Sequence, residues 1–178
     1  SALGYRWPEM DGSYSESFDA ALKVTLRWEG GVSDDPKDPG GFTNKGITIG
    51  RWEEWNGKSR DALRHVTDDE VKRIYFHSYW SKVWCDQMPE AMALMHFDCA
   101  VNQGPARARK FLQRSLKVKV DGQIGPLTLA ATRRDSPEHV RAYAKIRERH
   151  YRSLRTFKYH GDGWLNRLRD VLSECLSD

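Results

Sequence analysis

The sequence predicts an all-α protein. Apolar residues recur at spacings of three and four over most of its length, few stretches alternate with period two, and helix-start signals stand ahead of several of the periodic runs. The exception is residues 32–50, rich in Asp, Pro, Gly, Thr and Asn, which show no helical period and read as an irregular loop or small hairpin after the first helix. A loop of that length inside a compact domain usually carries function.

Ser17 is placed to cap a first helix over residues 18–29, with Phe18, Ala21, Leu22, Thr25, Leu26 and Glu29 on one stripe and Asp19, Lys23 and Arg27 on the opposite one. Gly30-Gly31 stops it. Further on, Thr67-Asp68-Asp69-Glu70 has the form of a capping box, in which hydroxyl and carboxylate each satisfy a backbone N–H, and it opens a helix through Tyr79-Trp80. Pro89 suits the first turn of a helix over residues 90–102. Met92, Ala93, Leu94, Met95, Phe97, Cys99, Ala100 and Val101 make that helix apolar almost all round, which predicts a buried centre. Gly104-Pro105 leads into a helix to about Leu116, and Asp121-Gly122 with Gly125-Pro126 turns the chain into a short one. Ser136-Pro137 starts a long basic helix to about Phe157, and a last amphipathic helix covers residues 164–176. The least hydrophobic joint, residues 118–123, is a candidate subdomain boundary, and no internal repeat is visible.

At 178 residues the chain can bury a real core as one domain, or one with a smaller helical appendage. Its 39% hydrophobic and 30% charged residues are those of a globular chain rather than a disordered one. Cys85, Cys99 and Cys175 are odd in number and lack CxxC spacing, which points to reduced thiols rather than disulfides or zinc. No apolar run is long enough to span a bilayer, so stable membrane insertion is not expected, and the N-terminus lacks a signal pattern. Ser1 is not an initiator methionine, and residues 1–16 read as an N-terminal extension. The net charge of +4 favours polyanions without choosing among them. His65, His77, His96, His139, His150 and His160 form no ligand grouping, and there is no Gly-x-Ser-x-Gly or phosphate loop, so neither metal nor cofactor is expected.

Glu29 shares the stripe of Leu22, Thr25 and Leu26. Partial burial and the negative end of the helix dipole both disfavour its charged form, as a proton-donating glutamate requires. Periodicity alone leaves a second reading open, a boundary residue whose side chain reaches solvent. The following Gly-Gly leaves room beside the acid, and Trp28 could add an apolar wall. A glycosidase needs a second group, as nucleophile or as base for water. Asp38 is the first candidate, with Thr43 and Thr48 as hydroxyls that could position water, although Asp-Pro-Gly and Thr-Asn are also ordinary turn formers.

Glu29-Gly30-Gly31, Asp35-Pro36-Lys37-Asp38-Pro39-Gly40-Gly41 and Thr43-Asn44-Lys45-Gly46-Ile47-Thr48 together resemble the N-acetylmuramidases of glycoside hydrolase family 108. The similarity continues through Ile74-Tyr75, Tyr79-Trp80, Phe97-Asp98, Val101-Asn102-Gln103-Gly104, Leu112-Gln113 and Val120-Asp121-Gly122-Gln123-Ile124-Gly125-Pro126-Leu127-Thr128. The resemblance implies a lysozyme-like helical fold, cleavage of the bond between N-acetylmuramic acid and N-acetylglucosamine, and Glu29 as catalytic acid. It divides the chain into a muramidase region (17–96) and a helical peptidoglycan-binding region (97–178) packed as one unit. It implies glycan strands and stem peptides as partners of a monomer made in a bacterial or phage-infected cytoplasm and acting in the periplasm or cell wall, in phage lysis or alongside secretion. The spacing from Glu29 to Asp38 and Thr43 is similar to the Glu, Asp and Thr triad of phage-type lysozymes. Val32 stands where many members have tyrosine, so a substrate contact from that ring is absent here.

Asp98, in the apolar central helix, reads either as a structural acid bonded to backbone or arginine or as a group beneath the site. Tyr75, Tyr79, Trp80 and Trp84 read as a sugar-stacking platform or as core. Asn102 and Gln103 offer amides to N-acetyl groups or peptide stems, or they cap the helix. A lytic transglycosylase and a non-catalytic wall-binding module are the competing functions. The arginines and lysines of residues 133–158 raise a nucleic-acid binder, but Asp135, Glu138 and Glu148 interrupt them, so no nucleic-acid partner is expected.

Overall fold

The computed structural model describes residues 14–30, 33–34, 42–44, 47–48, 52, 60–134 and 137–177. Helix α1, Glu16–Leu26, is capped by Ser15 rather than Ser17: the Ser15 hydroxyl accepts the Phe18 N–H at 3.2 Å. It buries Phe18, Ala21, Leu22, Val24 and Thr25, and it ends short of Glu29. The Arg27 and Trp28 N–H groups bond only three residues back, to Val24 and Thr25, a tightened last turn that leaves Glu29 just outside the helix.

Three short strands follow: β1 (Ser33–Asp34), β2 (Phe42–Asn44) and β3 (Ile47–Thr48). They pair antiparallel in chain order, with Ser33 opposite Thr43, Asp34 opposite Phe42, Thr43 opposite Thr48 and Asn44 opposite Ile47. The expected small hairpin is thus a three-stranded patch on an otherwise all-α fold.

Helix α2 is Arg60–Arg64, and α3 is Asp68–Tyr75. The capping box is present at α3: Thr67 Oγ1 accepts the Glu70 N–H at 3.1 Å, and the Thr67 N–H donates to Glu70 Oε1 at 3.2 Å. The helix widens into a π-helical turn, Phe76–Trp80, and a 3-10 turn, Cys85–Gln87, leads toward α4, Glu90–Gln103. Helix α4 is the predicted centre. Every residue from Met92 to Ala100 is buried, because α1 and the helices α5 (Pro105–Leu116), α7 (Pro137–Ser153) and α8 (Phe157–Leu176) all pack on it. The proposed division after residue 96 falls inside this helix. Edge-on contacts of Phe18, Phe76, Trp80 and Phe97, with ring centroids 5.3–5.5 Å apart for Phe18–Phe76, Phe18–Trp80 and Trp80–Phe97, lock α1, the π turn and α4 together.

The short helix α6 is Pro126–Thr132. The break before α8 falls at residues 154–156, earlier than the sequence suggests, so α8 contains Gly161 and Gly163 in its interior. Gly161 has a packing reason to lack a side chain, since a Cβ there would lie 2.6 Å from the Phe157 ring. All three cysteines are free and buried. No described helix is long and apolar enough to cross a membrane.

Candidate active site

Glu29 sits where the end of α1 meets α8. Its side chain is 18% exposed, and the Arg167 Nη1–H of α8 donates to its Oε1 at 2.9 Å. Behind that pair lies Asp98 of α4, with no exposure. Arg167 donates to Asp98 through Nη2 at 2.9 Å and Nε at 3.1 Å, Arg147 of α7 donates through Nη2 at 2.8 Å, and the Thr25 hydroxyl donates at 2.9 Å. The network extends outward: Gln103 Oε1 accepts from Arg147 Nε at 2.7 Å, Arg147 Nη2–H also reaches the Tyr151 hydroxyl at 3.1 Å, and that hydroxyl donates to Asn102 Oδ1. Among the described residues no buried side-chain nitrogen or oxygen lacks a hydrogen-bond partner. Four helices therefore converge on one carboxylate, in a network whose members are all satisfied.

The electrostatics separate the two acids. Burial pushes Asp98 upward, but the guanidiniums of Arg167 and then Arg147 outweigh it and hold the carboxyl below the usual aspartate value. At Glu29 burial dominates in the other direction: it raises the pKa, the charge and hydrogen bond of Arg167 pull it back only in part, and the negative Asp98 adds to the rise. Arg167 cannot neutralise Glu29 fully because its Nε and Nη2 groups are committed to Asp98. The arrangement favours the protonated form of Glu29 while keeping a cation against its Oε1.

Glu29 and Arg167 open onto a cleft of about 410 Å³. Trp28 and Asn102 line it together with Tyr159, His160 and Trp164 of α8. Tyr159 is 74% exposed, Trp28 is 38% exposed, and Trp164 is stacked on Tyr151 with centroids 5.2 Å apart and planes 20° from parallel. Aromatic faces around a largely buried carboxyl suit the apolar faces of sugar rings.

Of the residues singled out by sequence, Glu29, Trp28 and Asn102 come together here. Trp28 is fixed by its indole N–H, which donates to Asp170 at 2.8 Å. Asp98 takes the structural reading, bonded to two arginines. Trp80 does not form a stacking face: it is fully buried between Phe18 and Phe97, and its indole N–H donates to Asp86 at 2.6 Å. Gln103 is likewise turned inward, its amide engaged by Arg147, so it offers nothing to a ligand. Tyr79 is half-buried with its ring 5.5 Å from that of Tyr75, and it does not line this cleft. Thr43 and Thr48 are cross-strand partners on β2 and β3. Asp38 lies outside the described residues.

Sequence reasoning missed Arg167, Tyr159, His160 and Trp164. One signal pointed to the first: Arg167 falls on the apolar face of its helix with Trp164, Leu168 and Val171, where a cation needs a buried acid. Among the described residues no group of three or more His, Cys, Asp or Glu is placed to hold a metal.

Comparison with known proteins matches residues 22–104 to the family described as Glycosyl hydrolase 108 and residues 107–169 to the Predicted Peptidoglycan domain. Among solved structures the chain is similar to that of Brucella abortus SagA, with 37% sequence identity, 90% of this chain and 94% of that chain covered, and a TM-score of 0.82. No curated protein matches.

Proposed function

Because the chain belongs to the glycosyl hydrolase 108 family, we propose that it hydrolyses the glycosidic bond between N-acetylmuramic acid and N-acetylglucosamine of peptidoglycan, with Glu29 as general acid. The observation that carries this reading is a largely buried Glu29 lining an aromatic cleft, where burial outweighs an arginine at 2.9 Å and raises the pKa. Glu29 donates its proton to the bridging oxygen as the C–O bond breaks, and the sugar ring develops oxocarbenium character. Arg167 then stabilises the new carboxylate through the N–H already directed at it. Water supplies the hydroxyl of the reducing end, and its surplus proton restores the acid.

Asp38, in the segment joining β1 to β2, is our candidate for the second carboxylate, with Thr43 and Thr48 on the neighbouring strands as water-positioning hydroxyls. Asn102 and Trp28, which line the cleft, are proposed to contact the glycan. The Predicted Peptidoglycan domain supports action at the cell wall, and the enzyme is proposed to act there as a monomer.

The test is digestion of purified sacculi by the intact chain and by Glu29→Gln, followed by mass spectrometry of the products. Muropeptides with reducing ends are expected from the first and none from the second, which should still bind sacculi. Lysis retained by Glu29→Gln, or anhydromuramic products from the intact chain, would overturn the assignment.

A further inference from the structure

A second cleft, of about 540 Å³, lies where the end of α5, residues 117–125 and α6 meet, and it shares no lining residue with the cleft at Glu29. We propose that it binds the peptide stem of peptidoglycan through the carboxylates of that peptide; this rests on peptidoglycan being the substrate.

The first support is rigidity built around one buried side chain. The Gln113 amide Nε2 donates to Asp121 Oδ1 and to the Gln123 carbonyl, each at 2.9 Å, and its Oε1 accepts the Asp121 and Gly122 N–H groups at 3.1 and 2.8 Å. Asp121 Oδ1 also accepts the Gln123 N–H at 2.9 Å, and Arg109 holds the Gly122 carbonyl at 3.0 Å. None of these groups reaches the Glu29 cleft, so the network is there to shape this loop.

The second support is charge. Lys117, Lys119, Arg134 and His139 line the cleft against a single acid, Asp121, whose carboxylate is already bound by Gln113 and lies within the field of Lys119. None of the four basic groups forms an ion pair among the described residues, so all are available to an anionic guest. A neutral glycan would leave them unused. Between the cations the walls are apolar, with Leu127 84% exposed at the rim. Several carboxylates interspersed with small alkyl groups is the chemistry of a stem peptide, and the cleft has the size of a small-molecule site. Two separate clefts would let one enzyme hold a glycan and a peptide stem together, which raises overall affinity without a new contact at either.

The test is calorimetric titration of the full chain with the free tripeptide L-alanyl-γ-D-glutamyl-meso-diaminopimelate. Lys117→Gln/Lys119→Gln/Arg134→Gln should bind about tenfold more weakly or worse, the combined effect of three partly exposed charge contacts. Arg141→Gln/Lys145→Gln/Arg149→Gln removes the same charge from the exposed side of α7 and should bind as the unaltered chain does. No binding of the tripeptide, no loss in the first variant, or equal losses in both would each overturn the proposal. The titration involves no bond cleavage, so its outcome is independent of whether Glu29 is the acid.

Discussion

Glu29 and its neighbouring aspartate differ by what surrounds them. Two guanidiniums hold the Asp98 carboxyl below the usual aspartate value, whereas Glu29 shares one guanidinium and burial raises its pKa. A general acid works only while it keeps its proton, so kcat/KM should fall as pH rises through the Glu29 pKa, with the midpoint of that alkaline limb above the ordinary glutamate range. A limb within that range would contradict the role. Arg167→Gln removes the charge that lowers the Glu29 pKa, so the limb should move to still higher pH. The same change leaves Asp98 buried with one guanidinium fewer and should cost about 3–5 kcal/mol in urea denaturation. Glu29 was legible as a candidate from its helical phase, even though the helix stops before it, because the chain enters the next turn with its side chain still directed inward. Its pairing with Arg167 was not, since the two lie 138 residues apart and no local pattern encodes that distance.

Local chemistry decided which elements could be read in advance. The α3 capping box is closed by residues three apart, and it appears as the sequence implies. The start of α8 depends instead on Gly161, which gives up its side chain to the Phe157 ring, and the π turn at Phe76–Trp80 depends on packing against α1 and α4. The two glycines of α8 provide a test. An alanine Cβ at Gly163 meets nothing within 4 Å, so Gly163→Ala should stabilise by roughly 0.4–1 kcal/mol through the unfolded chain. Gly161→Ala would put its Cβ 2.6 Å from the Phe157 ring and should destabilise by about 1–2 kcal/mol after the gain in helix propensity. Urea midpoints that shift in the same direction would count against this account of α8.

At the scale of the whole molecule, α4 packs against α1, α5, α7 and α8, and a buried histidine on it ties stability to pH. The His96 ring lies between the Tyr143 hydroxyl at 2.7 Å and the Val83 carbonyl at 3.0 Å. That carbonyl can only accept, so Nε2 carries the proton of a neutral ring. Burial pushes its pKa down to about 3 from an ordinary 6.5. The unfolded chain therefore takes up a proton that the folded one refuses, and this contribution to stability is lost as pH falls from 6.5 toward 3, at up to about 1.4 kcal/mol per pH unit. His96→Leu should flatten that slope in urea titrations across the window; an unchanged slope would show that the ring is not the group responsible. The buried central helix was readable because its apolar residues run all round, while the polar contacts that join α4 to α7 and α8 come from distant parts of the chain. Those distances also order events in time. Glu29 leaves the ribosome 138 residues ahead of Arg167, roughly 7–28 s earlier at ordinary synthesis rates. Over that interval the nascent chain carries Glu29 without the guanidinium that later sits against it.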